Sequence, residues 1–128
     1  IKSAMPFVDK QVDRRQKSII MIPPRFAPQN DFELALTLVR SGNYRASRHN
    51  VLRNLDDLNL TETEMEEVLL DLTRHDFCKS EIDKKGDWQD YFKPKRKFHG
   101  FRLFIKWKIV NNKELILTSF KEDTDNLI

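Results

Sequence analysis

Residues 98–122 read FHGFRLFIKWKIVNNKELILTSFKE. Apolar side chains recur at every second position in the first half of this stretch, which is the period of a strand that buries one face. Asn111 and Asn112 predict a tight turn, because asparagine tolerates the positive φ angles of hairpin turns. We therefore predict a long strand over 98–110 that returns through this turn as a last strand over 115–120.

The alternation divides the long strand into an apolar face, which we assign to the core, and a face that carries cations. A two-residue turn would set Phe104 opposite Ser119 and Arg102 opposite Lys121. The predicted cationic face then consists of Arg102, Phe104, Lys106, Lys108 and Lys121.

Three helices are predicted upstream of this hairpin. Residues 31–41 place apolar side chains on one face at helical spacing, and Gly42 is a typical stop signal. A second helix begins near Ser47, which can cap its N-terminus. Thr61 and Glu64 have the spacing of a capping box and predict the start of a third helix, whose outward face is acidic.

Beyond the third helix the period of the apolar positions changes to two. Residues 77–82 and 88–92 are predicted as short strands separated by a turn. Strand parity turns Cys78 away from Lys79, so we expect this cysteine to be a small core residue. Helices followed by strands predict an α+β fold in which N-terminal helices pack on a small antiparallel β-sheet.

The composition excludes several classes of protein. The chain has 128 residues, of which 39% are hydrophobic, and this suits one folded domain. A single cysteine cannot form an internal disulfide or a thiolate zinc site, so we expect a cytoplasmic protein that is neither a disulfide scaffold nor a zinc finger. We also expect no cofactor. Apolar runs fall short of the roughly 20 residues of a membrane-spanning helix, and we expect no membrane partner.

Charge is distributed unevenly, although the net charge is only +3. Residues 54–76 carry 8 acidic and 1 basic side chains, whereas residues 79–113 carry 11 basic and 4 acidic ones. The basic stretch is rich in aromatic rings, and single-stranded nucleic acids bind to cations combined with aromatic faces. The alternative is a strand-rich core whose outward face is solvated by lysine. The RNA-binding candidates are the predicted cationic face together with Lys93, Lys95, Arg96 and Lys97.

The two ends of the chain differ from its centre. Residues 1–28 are polar and contain several prolines, so we predict a loosely ordered arm, with Met5 as a candidate native start. Residues 29–122 hold the predicted helices and strands and form the predicted domain. Residues 123–128 are predicted to be an acidic tail.

Several short strings occur in a specific order along this pattern. They are LVRSG at 38–42, DFCKS at 76–80, WQD at 88–90, FKP at 92–94 and SFKE at 119–122. In order and spacing the set resembles the MqsR family of bacterial toxins, which are messenger-RNA-cleaving ribonucleases of toxin–antitoxin systems with a RelE-like fold.

The resemblance implies site residues as well as a fold. The family's activity is metal-independent, and its implicated lysines and glutamine fall on Lys79, Gln89 and Lys121. The family also has a tyrosine on the long strand, for which this chain has no match. Phe104 aligns best with that tyrosine, and Leu103 takes its place if a one-residue insertion lies elsewhere.

The chemistry of such a site follows from its reaction. Cleaving RNA without a metal uses the ribose 2′-hydroxyl as the nucleophile, so the protein must remove a proton, neutralise the phosphate and protonate the leaving 5′-oxygen. Lys79 and Lys121 suit the second task, whereas the amide of Gln89 can position a group but cannot shuttle protons. His99 is the first candidate for proton transfer because an unperturbed imidazole titrates at about pH 6.5. Tyr91 is the second candidate, on the same strand face as Gln89.

The leading hypothesis is therefore the toxin of a toxin–antitoxin pair, acting as a sequence-preferring messenger-RNA endoribonuclease. Its partners would be messenger RNA and an antitoxin protein encoded by an adjacent gene. Because Phe104 cannot ionise, the alternative is a catalytically weak or inactive RNA-binding module of the same fold. A third hypothesis is an interaction domain whose basic sheet binds an acidic protein.

Overall fold

The computed structural model describes residues 22–124, so most of the predicted arm and the end of the predicted acidic tail lie outside the described residues. The α-helices are α1 (Phe32–Arg40), α2 (Arg53–Leu58) and α3 (Glu62–Asp71). The strands are β1 (Tyr44–Ala46), β2 (Phe77–Ile82), β3 (Trp88–Phe92), β4 (Leu103–Val110) and β5 (Glu114–Glu122).

The predicted helices are confirmed, with one irregularity. The side chain of Asp31 caps α1 by accepting a hydrogen bond from the backbone N–H of Leu34. Both hydrogen bonds of the capping box between Thr61 and Glu64 are present at the start of α3. Ser47 begins the second helical segment as predicted, but its side chain makes no capping bond, and the first five residues form a wide π-helical turn before α2.

The sheet is mixed, whereas the sequence predicted an antiparallel one. Its strand order is β1-β5-β4-β3-β2, and the pairs among β2 to β5 are antiparallel. The short strand β1, which the sequence analysis missed, pairs in parallel with β5, with Tyr44 opposite Leu115. Three residues are too few to show a period of two, so this strand left no signal in the sequence. The α+β class is confirmed.

The predicted long strand begins five residues too early. Residues 98–102 precede β4, and Phe98 and Phe101 exchange two backbone hydrogen bonds across a tight turn. His99 and Gly100 form this turn with φ angles of 52° and 87°. An extended strand cannot contain two such angles, so the alternation of residues 98–102 is not that of a strand.

The turn between β4 and β5 has three residues, and the prediction of a two-residue turn is wrong. Val110 lies opposite Glu114, with Asn111 and Asn112 at φ angles of 54° and 55°. The positive φ angles that made asparagine informative are present, but they belong to a longer turn. This turn alone moves every pair of the hairpin by one residue.

A β-bulge moves the pairs by one residue more. The register changes at Lys106 and Trp107, which lie opposite Ser119 and Leu117. Phe104 consequently lies opposite Lys121, not opposite Ser119 as predicted. Because two single shifts restore the parity, Phe104 and Lys121 still lie on the same face of the sheet.

The helices cover one face of this sheet, and both α1 and α2 pack against β5. The core contains a cluster of three rings, in which Phe92 lies 4.7 Å from Trp107 and 5.9 Å from Phe32 between ring centroids. The leucines and isoleucines of β4 and β5 that alternate with the outward residues are buried around it. The opposite face of the sheet, which we call the open face, is left uncovered by the described helices.

Cys78 is exposed, so the expectation of a core cysteine is wrong. Phe77 lies opposite Phe92 and Lys79 lies opposite Tyr91, which leaves Cys78 in an irregularity between the two pairs. Such a bulge interrupts the alternation of side chains on which the expectation rested.

The segment before α1 is attached to the edge of the sheet. The buried carboxylate of Asp90 accepts hydrogen bonds from the backbone N–H groups of Gln29 and Asn30 and from the hydroxyl of Ser80. Arg25 adds a short antiparallel bridge to Ser80 in β2. These contacts orient the start of α1 relative to β3.

Candidate active site

Neighbouring strands bring several predicted site residues together on the open face. Lys79 of β2 lies opposite Tyr91 of β3, which in turn lies opposite Lys106 of β4. Two residues before Lys106 on β4, Phe104 lies opposite Lys121 of β5. We call the following residues the open-face cluster: Lys79, Glu81, Tyr91, Lys93, Phe104, Lys106 and Lys121.

Two aromatic rings form the centre of this cluster. The rings of Tyr91 and Phe104 meet edge to face, with centroids 5.5 Å apart and planes at 82°. The ammonium groups of Lys79 and Lys106 lie 5.3 Å and 5.1 Å from the centroid of Tyr91. Those of Lys93 and Lys121 lie 5.8 Å and 5.4 Å from the centroid of Phe104. Cations at such distances are attracted to the ring faces, so four lysines surround two rings.

Glu81 connects a lysine to the tyrosine of the cluster. Its Oε2 lies 2.8 Å from Nζ of Lys79, and its Oε1 accepts a hydrogen bond of 3.0 Å from the hydroxyl of Tyr91. The hydrogen bond from Lys79 holds the pKa of Glu81 below its usual value and outweighs the effect of burial. Burial and the hydrogen bond to Glu81 raise the pKa of Tyr91 to about 12. At neutral pH the carboxyl is therefore ionised and the phenol is protonated.

Lys106 lies in a position of concentrated positive charge. Burial, followed by the nearby charge of Lys121, lowers the pKa of its ammonium group below the usual value. A bound anion would relieve the repulsion between these two lysines. This part of the open face therefore favours a ligand such as a phosphate group.

Gln89 lies beside the cluster, but its amide is held by protein groups. Its Nε2 donates to Asp83 at 2.9 Å, and its Oε1 accepts a hydrogen bond from the hydroxyl of Thr118 at 2.5 Å. The residue is buried. Its observed hydrogen bonds thus tie β3 to the turn after β2 and, across β4, to β5.

Lys108 is buried near Gln89, and both side chains hydrogen-bond to Asp83. Its ammonium group lies 2.9 Å from a carboxylate oxygen of each of Asp83 and Asp87. Burial opposes a charged lysine, but these two hydrogen bonds outweigh it and raise the pKa of Lys108. Burial would likewise raise the pKa of Asp83, yet the hydrogen bonds that it accepts, that of Lys108 first, hold it well below its usual range. The structure thus separates Lys108 from the other lysines of the predicted cationic face.

The remaining RNA-binding candidates lie in the connection between β3 and β4. Lys95, Lys97 and Arg102 are exposed there. Arg96 instead hydrogen-bonds to the buried carboxylate of Asp76 at 2.9 Å, and this bond raises the pKa of its guanidinium group. Arg96 therefore ties the connection to the segment that follows α3.

His99 is not brought to the open-face cluster. Its Nδ1 lies 3.9 Å from Oε2 of Glu64, at the start of α3. The tight turn that contains His99 aims the side chain toward a helix and not toward the lysines of the sheet. Of the two proton-transfer candidates, the structure places Tyr91 in the cluster.

Glu81 is the residue that the sequence analysis missed. The available signal was its position two residues after Lys79, which puts both side chains on the same face of β2. In a count of basic and acidic side chains, this glutamate only lowers the net positive charge of the stretch. Its contact with Tyr91 arises between strands and depends on the register of β2 and β3.

Two other kinds of feature were sought in residues 22–124. In this part of the chain, His, Cys, Asp and Glu side chains form no group of three or more that could hold a metal ion. Its helices are all too short or too polar to cross a membrane.

The chain was also compared with known proteins. A family model described as "Motility quorum-sensing regulator, toxin of MqsA" matches residues 27–122. The matched range contains α1 to α3, β1 to β5 and every residue of the open-face cluster. The comparison with curated proteins gave no match.

Proposed function

The chain belongs to the MqsR toxin family, and on this premise we propose that it is a metal-independent endoribonuclease that cleaves messenger RNA with a sequence preference. Membership in this family makes the chain a toxin of a toxin–antitoxin system. The cleavage activity is the proposal, and it is supported by the chemistry of the open-face cluster.

The observation that carries the proposal is the arrangement of four lysines around two aromatic rings. Single-stranded RNA offers phosphates to cations and base faces to aromatic rings, and the cluster presents both kinds of partner together. Lys93, Lys106 and Lys121 would follow the phosphate backbone, and the ring of Phe104 would contact a base. The exposed lysines of the connection between β3 and β4 would extend this path.

The proposed reaction is an attack of the ribose 2′-hydroxyl on the adjacent phosphorus. Negative charge grows on the non-bridging oxygens of the phosphate, and the ammonium groups of Lys79 and Lys121 would stabilise it. The products would be an RNA ending in a 2′,3′-cyclic phosphate and an RNA beginning with a 5′-hydroxyl. Such a reaction would need no metal, because protein groups would neutralise the phosphate and transfer the protons.

The proposed protein partner is an antitoxin. The family description names MqsA as the antitoxin of this kind of toxin, and we expect a related protein to bind this chain. We expect its gene to lie adjacent to the gene of the toxin.

The proposal is tested by incubating a messenger transcript with the purified protein in EDTA. We expect cleavage to a cyclic phosphate and a 5′-hydroxyl. Lys79→Ala and Lys121→Ala should each reduce the rate by about 100-fold or more, as is typical when one stabilising donor is removed. Lys113→Ala, at the exposed tip of the hairpin, is the matched control and should retain the rate. Unchanged cleavage in both cluster variants would contradict the assignment of the site.

One observation favours a second candidate function. Phe104 occupies the position that aligns with the family's tyrosine, and a phenyl ring has no ionisable group. A chain that had lost its proton donor would bind RNA in a salt-dependent manner without cleaving it. Intact RNA after prolonged incubation with the wild-type protein would support this RNA-binding function over the nuclease.

A further inference from the structure

The proposed cleavage requires proton transfers that lysines and an amide do not perform well. Gln89 cannot ionise, Phe104 cannot ionise, and His99 lies against Glu64 at the start of α3. Within the open-face cluster as defined, the ionisable groups other than lysine are Glu81 and Tyr91. These two groups are joined directly by a hydrogen bond of 3.0 Å.

The carboxylate of Glu81 is both oriented and accessible. One oxygen is held by the ammonium of Lys79, and the other accepts the hydroxyl of Tyr91. The side chain is 38% exposed, so a ribose hydroxyl can approach it from the open face. The low pKa of Glu81 and the high pKa of Tyr91 keep the first group able to accept a proton and the second able to donate one at neutral pH.

We propose that Glu81 is the general base and Tyr91 the general acid of the RNA cleavage, an inference that rests on the function proposed above. Glu81 removes the proton of the 2′-hydroxyl while the 2′-oxygen bonds to phosphorus. Tyr91 gives its phenolic proton to the 5′-oxygen while the bond between phosphorus and that oxygen breaks. The proton then passes from Glu81 to the oxygen of Tyr91 through their hydrogen bond, which restores both groups without consuming water.

This assignment also accounts for the missing tyrosine of β4. The rings of Tyr91 and Phe104 are in contact, with centroids 5.5 Å apart. A hydroxyl on β3 is therefore available beside the position where β4 carries only a phenyl ring. Tyr91 supplies from the neighbouring strand the acid that Phe104 cannot provide.

A second pair in the same chain provides a matched control. The hydroxyl of Tyr44 donates to Oε2 of Glu66 at 3.1 Å, and burial together with this bond raises the pKa of Tyr44 to about 12. This pair joins β1 to α3, outside the open-face cluster. Tyr44→Phe and Glu66→Gln thus remove the same chemical groups from a place without the four lysines.

The first experiment measures single-turnover cleavage of a short RNA that contains one site mapped with the wild-type protein, in EDTA. Glu81→Gln and Tyr91→Phe should each reduce the rate by about 100-fold to 10,000-fold, the usual contribution of a positioned acid or base. Tyr44→Phe and Glu66→Gln should stay within about threefold of wild type, because both residues lie outside the open-face cluster and each change removes only one polar group. A cluster variant that also stays in that range overturns the role of its residue.

Binding separates a chemical role from a structural one. The same RNA with a 2′-deoxyribose at the cleaved position binds but cannot react. Glu81→Gln should bind this RNA at least as tightly as wild type, because a negative charge has been removed beside the phosphate path. Binding weakened more than about tenfold, a loss of roughly 1.4 kcal/mol, would show that the glutamate organises the surface and would overturn the base assignment.

The acid is tested with an RNA whose leaving 5′-oxygen is replaced by sulfur. A thiolate leaves without protonation, so Tyr91→Phe should cleave this substrate at nearly the wild-type rate, whereas Glu81→Gln should remain slow. A Tyr91→Phe variant that remains equally slow on both substrates overturns the acid assignment. Wild-type protein that cleaves neither substrate would instead contradict the proposed nuclease function itself, and the two failures are thereby distinguishable.

Discussion

Single side chains decide how the open face can react. Phe104 offers an aromatic ring and no ionisable group, whereas Tyr91 beside it offers a hydroxyl that is already hydrogen-bonded to a carboxylate. The hydroxyl that we propose as the acid and the ring that we propose to contact a base thus lie on adjacent strands. The lysines on each side are oriented by these rings as well as by Glu81.

The first prediction concerns an exchange of the two ring types between positions 91 and 104. Tyr91→Phe combined with Phe104→Tyr restores a hydroxyl to the same pair of rings, so the double variant should cleave RNA at least tenfold faster than Tyr91→Phe alone. The measurement is single-turnover cleavage in EDTA. Equal rates in the two variants would show that the hydroxyl acts only from the position of residue 91.

The buried ion pair of Lys108 gives a second prediction at this scale. Asp83→Asn removes one of two carboxylates from a lysine side chain that is only 9% exposed, which should lower the free energy of unfolding by about 1–3 kcal/mol at pH 7. A carboxyl whose pKa is lowered by folding stabilises the fold above its unfolded pKa and loses this effect as the pH falls.

The difference between wild type and Asp83→Asn should therefore shrink as the pH is lowered below about 4, where an unfolded aspartate becomes protonated. Urea unfolding at several pH values measures it. Asp57→Asn, an exposed position in α2, is the control. A difference that grows toward acid pH would contradict the ion-pair interpretation.

Among the elements, the β4–β5 hairpin determines which side chains meet. Its three-residue turn shifts the pairing by one residue, and its bulge shifts it by one more. Without the bulge, the outward and inward residues of β5 would exchange faces beyond Lys106. The turn and the bulge together place Lys121 beside Phe104.

The turn is tested through its backbone angles. Asn111 has a φ of 54°, a conformation that is costly for a β-branched side chain. Asn111→Val should therefore reduce the free energy of unfolding by about 1–2 kcal/mol, whereas Asn111→Gly should change it by less than about 0.5 kcal/mol. Urea unfolding of the two variants measures this contrast. Equal destabilisation by valine and glycine would show that the asparagine side chain, and not the φ angle, matters.

In the molecule as a whole, opposite charges are separated onto different sides. The acidic stretch forms α2, α3 and the turn after them, whereas the cations of the open-face cluster lie on strands. Helices cover one face of the sheet, so the other face remains available to a polyanion. The modest net charge of +3 is therefore the sum of an acidic region on the helices and a basic region on the open face of the sheet.

This separation predicts how salt acts on RNA binding. Each phosphate contact releases counterions, so the logarithm of affinity should fall with the logarithm of salt concentration. Lys106→Gln should reduce the steepness of this line by about 0.7, the value for one contact to a single strand. Lys113→Gln, at the tip of the hairpin, should leave the slope unchanged. The assay is the binding of a 2′-deoxy-blocked RNA at several salt concentrations, and equal slopes for both variants would contradict the proposed path.

Predictions from the sequence succeeded where the signal was local. The capping box of Thr61 and Glu64 and the common face of Gln89 and Tyr91 on β3 involve residues two or three positions apart, and the structure has them as predicted. Predictions failed where a pairing partner decided the outcome. Cys78 lies in a bulge that only the partner strand reveals, and the register of Phe104 depends on a bulge in the hairpin.

The sequence by itself determined the α+β class, the bounds of β2 and β3, and the common face of Phe104 and Lys106 on β4, because periodicity and capping are properties of adjacent residues. Only the tertiary structure decided that Glu81 joins Tyr91, that Lys121 meets Phe104, and that His99 faces a helix. These contacts depend on register and on turns between strands, and the residues in contact lie 10, 17 and 35 positions apart, a spacing without a regular pattern.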